Sequence, residues 1–445
     1  MAEMEGLPPE AANPVIERQR ITSIDSLRGV ALLGILVINI PFFALSNFGM
    51  FDPDAAGDFS GANYLTWLIS HLFFDLKMMA IFSMLFGAGI VLMTDRAREK
   101  TGRSMGVHYR RMAWLLLIGL IHAYLIWFGD ILVLYAMCGM IIYPLRRLPA
   151  AALVVVGALT ISVGLATNYG QGTFFEAARD AHDRALAKTE AGETPDPFEA
   201  QMKIVWPEIS EDFNPTPQML AEEREIMLDG YWGIRKHHAP EVVFWQTYIF
   251  LTFGIWRAGG LMLLGMGLYK LGVFSAQRST ALYGAMVVLG YAMGFPLIWI
   301  GAQKIVTHDF DFIYFFRYGW NFNYLGSLFV ALGHVGLVML LCRMGALAWL
   351  MRALAAVGQM ALTNYLMQSI ICTLVFYGYG FGLWGSFTRI ELIGVALAVW
   401  AVQIIWSPLW LRAFRFGPFE WLWRSLTYWK WQPFRREPPQ VPAPT

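Results

Sequence analysis

The chain has 445 residues, of which 57% are hydrophobic and 15% are charged, and its formal net charge is +1. Soluble domains carry about 25% charged residues, so this composition excludes an ordinary soluble protein, and the near-neutral charge gives no sign of a nucleic-acid partner. The mean hydropathy of +0.48 is that of a membrane protein. Cys138, Cys342 and Cys372 lie in apolar runs without metal-ligand spacing, which indicates buried thiols without disulfides and no metal site.

Apolar segments long enough to cross a bilayer recur along the whole chain. They predict an all-α, polytopic membrane protein with about ten transmembrane helices and one helical extracytoplasmic insertion. The predicted spans are residues 24–45, 64–94, 112–128, 131–146, 149–168, 242–269, 280–303, 322–342, 358–378 and 389–411. The second and sixth spans are longer than a bilayer requires, which predicts tilt or an extension into water. A shorter apolar run, Met344–Val357, is interpreted as a separate interfacial piece.

Basic residues are concentrated in alternate connections between the predicted spans. The basic segments are residues 95–111, 146–147, 270–278, 343–352 and 412–436, together with Arg18 and Arg20 before the first span. All of them fall on one side of the membrane if the N-terminus is cytoplasmic, as the positive-inside rule predicts. We therefore expect both termini to be cytoplasmic.

This topology divides the chain into five parts. They are a cytoplasmic tail (1–20), transmembrane helices 1–5 (21–168), an acidic extracytoplasmic loop (169–240), transmembrane helices 6–10 (241–411) and a basic, aromatic tail (412–445). The first part lacks a signal-peptide pattern, and the last is typical of a helix at the membrane face. In the loop, acidic residues outnumber basic ones, which fits either a solvated cap or a substrate-holding segment.

Five sequence stretches carry a resemblance to a known family. They are ITSIDSLRGVALLGILVINI (Ile21–Ile40), LFGAG (Leu85–Gly89), IHAYLIWFGDILVLYA (Ile121–Ala136), GQMALTNYLMQSIICTLVFYGYG (Gly358–Gly380) and FGPFEWLWRSLTY (Phe416–Tyr428). On these stretches the chain resembles the YeiB-like bacterial inner-membrane proteins, a domain of unknown function numbered 418. That family is grouped with transmembrane acyltransferases, among them the heparan-glucosaminide acetyltransferases and the bacterial polysaccharide O-acyltransferases. The resemblance implies a bacterial inner-membrane location and an acyl-transfer activity.

His122 is the strongest single candidate for chemistry. It lies eleven residues beyond Arg111, or about 16 Å into the bilayer at helical rise. A histidine at that depth is costly unless it faces a polar interior, and its neutral-range pKa suits a general base that later acts as an acid. Asp130 follows at a turn and is able to orient the imidazole. The alternative is a structural histidine bonded to a backbone carbonyl.

His71, Asp75 and Lys77 form a second polar group at the start of the second predicted span. His71 and Asp75 are four residues apart and share a helix face, which predicts a His–Asp dyad at the extracytoplasmic entrance. The alternative is a snorkelling cluster at the membrane interface.

The first predicted span carries Asp25, Arg28 and Asn39. Asp25 and Arg28 are three apart and are expected to pair, either to fix the helix register or to mark the membrane boundary. In the polysaccharide O-acyltransferases, an arginine and a histidine of the first helix are separated by ten residues. Arg28 and Asn39 keep that spacing, with asparagine in place of histidine. Asn39 resembles the asparagine at the corresponding position of the heparan-type enzymes. The resemblance therefore implies that Asn39 hydrogen-bonds the acyl oxygen.

Further polar residues are candidates for binding. Arg110 and Arg111, at the foot of the span bearing His122, suit the phosphates of coenzyme A or act only as topology signals. Arg257 suits a phosphate or carboxylate. Asn364 and Gln368 share a face of the ninth span and either bind substrate or form interhelical hydrogen bonds.

These observations favour an integral membrane acyltransferase that uses cytoplasmic acyl-coenzyme A as donor substrate and needs no metal. The acceptor is a hydroxyl or amine on an extracytoplasmic glycan, lipid or small molecule. The expected partners are the lipid bilayer, the donor and the acceptor, with a homodimer left open. The chain has no GxSxG motif, so the sequence does not support a serine nucleophile. The alternative is a transporter or flippase without covalent chemistry, since buried Asp, His and Arg also serve proton relays.

Overall fold

The computed structural model describes residues 22–101 and 104–436, apart from the side chains of residues 100 and 101. The predicted tail 1–20, with Arg18 and Arg20, lies outside the described residues, as do Arg103 and residues 437–445 of the predicted C-terminal tail. Within the described part, the regular structure is helical, and the only β-type pairing is an isolated bridge between Phe414 and Arg435. The all-α prediction is confirmed.

The helices follow one another with short connections. In chain order they are α1 (Thr22–Ala44), α2 (Gly61–Phe73), α3 (Lys77–Thr101), α4 (Met105–Leu125), α5 (Leu132–Ile142), α6 (Ala150–Glu190), α7 (Pro197–Glu211), α8 (Pro217–Met227), α9 (Tyr231–Phe244), α10 (Gly260–Lys270), α11 (Thr280–Thr307), α12 (Phe312–Tyr314), α13 (Trp320–Met344), α14 (Ala348–Gln359), α15 (Ala361–Phe376), α16 (Arg389–Ala413) and α17 (Pro418–Tyr428). π-Helical segments, Trp245–Gly259 and Phe315–Gly319, join α9 to α10 and α12 to α13.

Among the described residues, seven helical rods are long and apolar enough to cross a membrane, so the protein is a multi-pass membrane protein. They are Thr22–Ala44, Gly61–Glu99, Ala150–Glu190, Tyr231–Lys270, Thr280–Thr307, Phe312–Met344 and Arg389–Ala413. The other three predicted spans correspond to α4, α5 and α15. With 11 residues, α5 rises only about 16 Å, roughly half of a hydrocarbon core of about 30 Å, so α5 alone does not cross it.

The second predicted span is broken inside the bundle. α2 ends at Phe73, α3 begins at Lys77, and Leu76 between them has a φ of 60°. The intervening sequence contains neither glycine nor proline, so the sequence pattern predicts one continuous helix. Such a break is tolerated within a membrane protein where the freed polar groups find partners. It fixes the positions of the polar residues from His71 to Lys77.

The first helix lies at the centre of the bundle. Leu27, Ala31 and Leu32 of α1 are fully buried, and α14 packs along α1. A Cβ atom added at Gly29 would collide with the carbonyl oxygen of Leu354, and one at Gly358 with that of Asp25. Close approach through small residues is typical of helices packed in membranes. The run expected as an interfacial piece is therefore packed against α1 as helix α14.

The predicted insertion is helical. α6 is one helix of 41 residues, about 60 Å long, which is longer than a membrane is thick. Beyond the bundle its second half packs against α7 and α12 through Ala178, Ala181, Trp206 and Phe312. We call the end of the bundle that carries residues 171–240 the acidic side. The opposite end, with residues 95–111 and 412–436, is the basic side.

Candidate functional site

Three polar side chains form a buried chain at the end of α4. His122 is fully buried; its Nδ1 lies 2.8 Å from Oδ1 of Asp130, and its Nε2 lies 2.9 Å from Oγ of Ser369. The side chain of Asp130 is only 2% exposed. A carboxylate on one ring nitrogen and a hydroxyl on the other is the arrangement of a Ser-His-Asp triad. We call these residues the Ser369–His122–Asp130 group.

Local structure explains how this group is positioned. His122 occupies the last turn of α4, and the chain then reverses through residues 126–131 into α5. Asp130 lies just before α5, where its Oδ2 accepts a hydrogen bond of 2.7 Å from the backbone N–H of Val133. This contact supplies an acceptor to a free N–H of the first turn. The carboxylate is thereby held by the start of one helix while it faces the histidine at the end of another.

Aromatic rings enclose the group. The ring centroid of His122 lies 5.1 Å from that of Tyr365 and 6.4 Å from that of Trp127, and Phe43 of α1 stacks on Trp127 at 4.0 Å. The indole Nε1 of Trp127 is buried and has no acceptor within the described residues. An apolar enclosure strengthens electrostatic interactions, and a free buried donor in it suits a negative charge that develops during a reaction.

Asn39 lies one helical turn before Phe43 on α1, on the side of the bundle that holds the Ser369–His122–Asp130 group. It is partly exposed, and no side-chain hydrogen bond of Asn39 occurs in the described part of the chain. Its amide is therefore available to a ligand. At the other end of α1, Nη1 of Arg28 lies 2.8 Å from Oδ1 of Asp25 and 3.4 Å from the carbonyl oxygen of Gly358, so this pair joins α1 to α14.

The helix α9 covers the turn after His122 on the acidic side. The hydroxyl of Tyr231 donates to the carbonyl of Leu125 at 2.5 Å, and Nη1 of Arg235 donates to the carbonyl of Ile126 at 2.6 Å. The ring of His238 packs 4.5 Å from that of Phe128. Helix α9 therefore packs against the turn that follows His122.

The same helix brings together three residues of metal-ligand type. Ligand atoms of His237, His238 and Glu241 lie within 4.8 Å of one another. The shortest charged contact among them is 4.0 Å, between Nε2 of His238 and Oε2 of Glu241. The guanidinium of Arg235, one turn earlier on α9, opposes a cation there.

A cavity of about 450 Å³ opens on the acidic side. Its wall includes Ser46, Arg224, Thr388 and Arg389, which offer hydrogen-bonding and charged groups, and the indole of Trp384. Trp384 also belongs to the buried apolar cluster that contains Trp127 and Tyr377. The cavity wall and the surroundings of His122 thus share one apolar cluster.

The other predicted dyad lies in a separate network at the helix break. Nδ1 of His71 lies 3.0 Å from Oδ2 of Asp75, which also accepts a 2.7 Å hydrogen bond from the amide of Asn323. Nζ of Lys77 donates to Oδ1 of Asn323 at 2.6 Å and to the carbonyl of His71 at 2.5 Å. Lys77 is fully buried and therefore does not snorkel. Among the described residues, no hydrogen bond joins this network to the Ser369–His122–Asp130 group.

The candidate donor arginines are held by the C-terminal helix on the basic side. Nε of Arg110 donates to the carbonyl of Thr427 at 3.1 Å. The guanidinium carbon of Arg111 lies 4.3 Å above the ring of Trp423, and its Nη1 lies 3.0 Å from Sδ of Met93. Both side chains therefore contact protein groups on this side of the bundle.

Arg257 is fully buried close to the network at the helix break, because it contacts Tyr324, the neighbour of Asn323. Its Nη1 donates to the carbonyl of Tyr324 at 2.6 Å, and its Nη2 donates to Oγ of Ser327 at 2.5 Å. These contacts connect the π-helical segment 245–259 to α13. They give the guanidinium an interhelical role that needs no ligand.

Asn364 and Gln368 also connect helices. Nδ2 of Asn364 donates to Oγ of Ser407 at 3.0 Å and to the carbonyl of Val357 at 3.1 Å. Nε2 of Gln368 donates to Oε1 of Gln403 at 2.9 Å. These bonds hold α15 against α16 and so fix the helix that carries Ser369.

Sequence reasoning missed Ser369 and Arg235. Ser369 lies 247 positions from His122 inside an apolar span, where no motif marks it. The stretch YLMQSI belongs to the quoted family resemblance and was the one signal available. Arg235 belongs to the acidic loop, whose composition fits either a solvated cap or a substrate-holding segment, and charge patterns do not reveal that α9 folds back over the bundle.

Comparison with known proteins extends these observations to whole chains. A family described as "Protein of unknown function (DUF418)" matches residues 268–430. The chain is 30% identical to the uncharacterized protein YxaH of Bacillus subtilis over 442 residues, covering 95% of this chain and 98% of that protein. It is 30% identical to the uncharacterized protein YeiB of Escherichia coli over 432 residues, covering 92% and 96%. No solved structure matches.

Proposed function

This chain belongs to the YeiB-like DUF418 family of proteins, and we propose that it is an integral membrane acyltransferase. It moves an acyl group from acyl-coenzyme A to a hydroxyl or amine acceptor on the opposite side of a bacterial inner membrane. In this proposal the basic side faces the cytoplasm, both termini lie there, and the acidic side receives the acceptor. The family's relatives are uncharacterized, so the site alone carries the proposal.

The supporting observation is the Ser369–His122–Asp130 group. The carboxylate of Asp130 accepts a hydrogen bond from Nδ1–H of His122, so Nε2 is left as the acceptor that faces the hydroxyl of Ser369. This tautomer, inferred from the hydrogen bonds, makes His122 a general base for a hydroxyl. Its full burial excludes water, which would otherwise hydrolyse an acyl intermediate.

We infer that the acyl group passes through Ser369. Oγ of Ser369 gives its proton to Nε2 of His122 and attacks the thioester carbonyl; the C–S bond breaks, and His122 returns the proton to the departing thiolate of coenzyme A. The acceptor then gives its proton to His122 and attacks the serine ester, and Oγ of Ser369 leaves with that proton. The amide of Asn39 and the indole N–H of Trp127 donate to the oxyanion.

The basic side would hold the donor. Arg110 and Arg111 lie about 16 Å from His122 along α4, by helical rise, and guanidinium groups suit the phosphates of coenzyme A. The extended thiol arm of coenzyme A would then enter the bundle towards Ser369. The cavity on the acidic side, which contains Arg224 and Trp384, would admit the acceptor.

The test uses purified protein, acetyl-coenzyme A and a panel of glycan acceptors, with release of coenzyme A as the readout. His122→Ala and Ser369→Ala should both abolish turnover, and mass spectrometry of wild-type protein without acceptor should find an acetylated peptide containing Ser369. Ser407→Ala is the matched control, since Ser407 is an equally buried serine that bonds Asn364. Normal turnover in folded Ser369→Ala would eliminate the serine relay, and normal turnover in folded His122→Ala would eliminate acyl transfer at this site.

The network at the helix break supports a second candidate, a proton-coupled transporter. Its buried groups include Lys77, His71 and Asp75, and the carbonyl of His71 faces the ammonium of Lys77. Broken helices whose carbonyl ends face a cation are typical of transporter sites. A transporter would take up protons with substrate in proteoliposomes and lose this uptake in Asp75→Asn, while acyl transfer would be absent. Acyl transfer that persists in Asp75→Asn would favour the enzyme.

A further inference from the structure

We propose that Arg235 and Tyr377 bind an oxyanion, a phosphate or carboxylate group, beside the Ser369–His122–Asp130 group on the acidic side. If the proposed acyl transfer holds, this oxyanion site identifies the acceptor as an anionic molecule. The binding site itself follows from the free donors of Arg235 and does not depend on the reaction.

Arg235 presents an unused binding edge. Its side chain is buried, with 5% of the residue exposed, and only Nη1 has a partner, the carbonyl of Ile126. Nε and Nη2 are buried without a hydrogen-bond partner in the described part of the chain. These two nitrogens form the edge of the guanidinium that binds a carboxylate or phosphate through two parallel hydrogen bonds. Buried donors of a charged group are rarely left unpaired, so two such donors on one guanidinium edge favour the binding of an oxyanion.

Tyr377 supplies a further donor next to this edge. The guanidinium carbon of Arg235 lies 5.7 Å from the centre of the Tyr377 ring. The buried hydroxyl of Tyr377 lies within reach of that guanidinium and has no hydrogen-bond acceptor among the described residues. A phenol is protonated at neutral pH, so the Tyr377 hydroxyl is able to donate. Two neighbouring groups that both lack an acceptor favour one shared anion.

The nearby carboxylates do not neutralise Arg235. Within the described residues, no ion pair joins Arg235 to an acidic side chain. Glu223 accepts hydrogen bonds from Oγ of Ser46 at 2.5 Å and from the backbone N–H of Asn47 at 3.3 Å, and burial raises its pKa. Glu241 lies 4.0 Å from His238. The positive charge of Arg235 is therefore available to an anionic ligand.

The position of Arg235 connects this site to the reaction. The carbonyl that it holds belongs to Ile126, and the backbone N–H groups of Ile126 and Trp127 both donate to the carbonyl of His122, at 2.9 and 2.8 Å. An anion on the free edge of Arg235 would lie beside the turn that carries the general base. An acceptor that has a hydroxyl near an anionic group would thus be oriented towards His122.

The binding test uses purified protein in nanodiscs of neutral phosphatidylcholine and follows the thermal midpoint during titration with inorganic phosphate at constant ionic strength. Phosphate should raise the midpoint of the wild type. Arg235→Met should abolish the response, and Tyr377→Phe should raise the half-saturating phosphate concentration about tenfold, the value of one hydrogen bond to a charged group. The hydroxyl that Tyr377→Phe removes lies beside Arg235, so the phosphate response of each variant is measured from its own phosphate-free midpoint.

Two matched controls separate this site from general charge effects. Arg184→Met removes a charge that pairs with Glu199 on the acidic side, and Tyr379→Phe alters a neighbouring tyrosine whose ring lies 5.9 Å from that of Tyr377. Both should respond to phosphate as the wild type does. A wild-type response in Arg235→Met would overturn the proposal, as would an absent response in the wild type.

Two further arms identify the source of the anion and the dependence on catalysis. Phosphatidylglycerol in the nanodiscs should suppress the phosphate response if a lipid headgroup occupies the site, and leave it unchanged if the ligand is soluble; either result supports an oxyanion site. In the acyl-transfer assay, glycerol phosphate should be a better acceptor than glycerol, and Arg235→Met should remove the difference. Equal use of both acceptors by the wild type would overturn the assignment of the acceptor. Phosphate binding without any acyl transfer would instead reject the proposed function and leave the anion site standing.

Discussion

At the scale of single residues, Asp130 has two simultaneous roles. Its Oδ1 faces Nδ1 of His122 at 2.8 Å, while its Oδ2 accepts from the backbone N–H of Val133 at 2.7 Å. The second bond fixes the carboxylate, so the first fixes the orientation and the tautomer of the imidazole. The two roles can be separated, because an asparagine would keep an oxygen for the helix start but offer an amide donor to the histidine.

We expect Asp130→Asn to lower the rate of acyl transfer by about 10⁴, because the amide would stabilise the wrong tautomer of the base. The thermal midpoint should change little, since Val133 keeps an acceptor. The rate is measured as release of coenzyme A under saturating donor. An unchanged rate in a stable Asp130→Asn protein would show that Asp130 only supports the fold.

We expect Asn39→Ala to lower the rate by about 10² to 10³, the value of one oxyanion donor. Because Asn39 makes no side-chain hydrogen bond within the described residues, its loss should not lower the thermal midpoint. Asn168→Ala is a useful comparison, since Asn168 is a buried membrane asparagine that bonds Asn321. A rate loss in Asn39→Ala no larger than in that variant would remove Asn39 from the site.

The pairing of His122 with Asp130 could be predicted from sequence, because the two residues are eight positions apart and a single reversal of the chain joins them. Ser369 could not, because its contact with His122 depends on how α15 packs against α4. Arg235 was hidden for a related reason: hydropathy places it in a polar insertion, and only the return of α9 onto Leu125 and Ile126 buries it.

At the scale of elements, the C-terminal helix α17 braces the helices of the site. Oε1 of Glu420 accepts from the backbone N–H groups of Leu362 and Thr363 at 2.6 and 3.0 Å, at the start of α15. The indole of Trp423 donates to the carbonyl of Arg111 on α4 at 2.9 Å. A carboxylate at a helix start is favoured by the free N–H groups and by the helix dipole. The aromatic pattern of the tail predicted a helix at the membrane face, but it did not indicate this bracing contact.

We expect Glu420→Ala to destabilise the protein by about 1–3 kcal/mol, because it leaves buried N–H groups without an acceptor. Hydrogen exchange should increase at residues 361–369, the part of α15 from its start to Ser369. Glu391→Ala is the matched control, since Glu391 closes an exposed capping box at the start of α16. Exchange at 361–369 that rises equally in both variants would contradict a specific brace.

At the scale of the whole molecule, the chain separates charge between its two ends. The acidic insertion folds into the end of α6 and helices α7 to α9, and the basic connection 95–111 lies at the opposite end. Hydropathy predicted the all-α, multi-pass architecture well because membrane helices must bury their own backbone groups. Hydropathy did not predict the break at Phe74–Leu76, or how short α5 is. An apolar composition shows which segments avoid water, but it does not show whether a helix is continuous within them.

We expect the acidic side to be extracytoplasmic, because basic residues favour the cytoplasmic face. In the test, whole cells that carry Thr101→Cys or Glu193→Cys are treated with an impermeant thiol reagent. The wild type controls for labelling of the native Cys138, Cys342 and Cys372. Glu193→Cys should be labelled and Thr101→Cys should not. The reverse pattern would invert the topology, and with it the assignment of donor and acceptor sides.

The position of the brace along the chain bears on biosynthesis. Helices α4 and α15 enter the membrane early and late during translation, and α17, which ties them together, is made only after the last span. A nascent chain that stops before Pro418 already contains His122, Asp130 and Ser369 but lacks Glu420 and Trp423. The Ser369–His122–Asp130 group therefore reaches its final packing only at the end of synthesis.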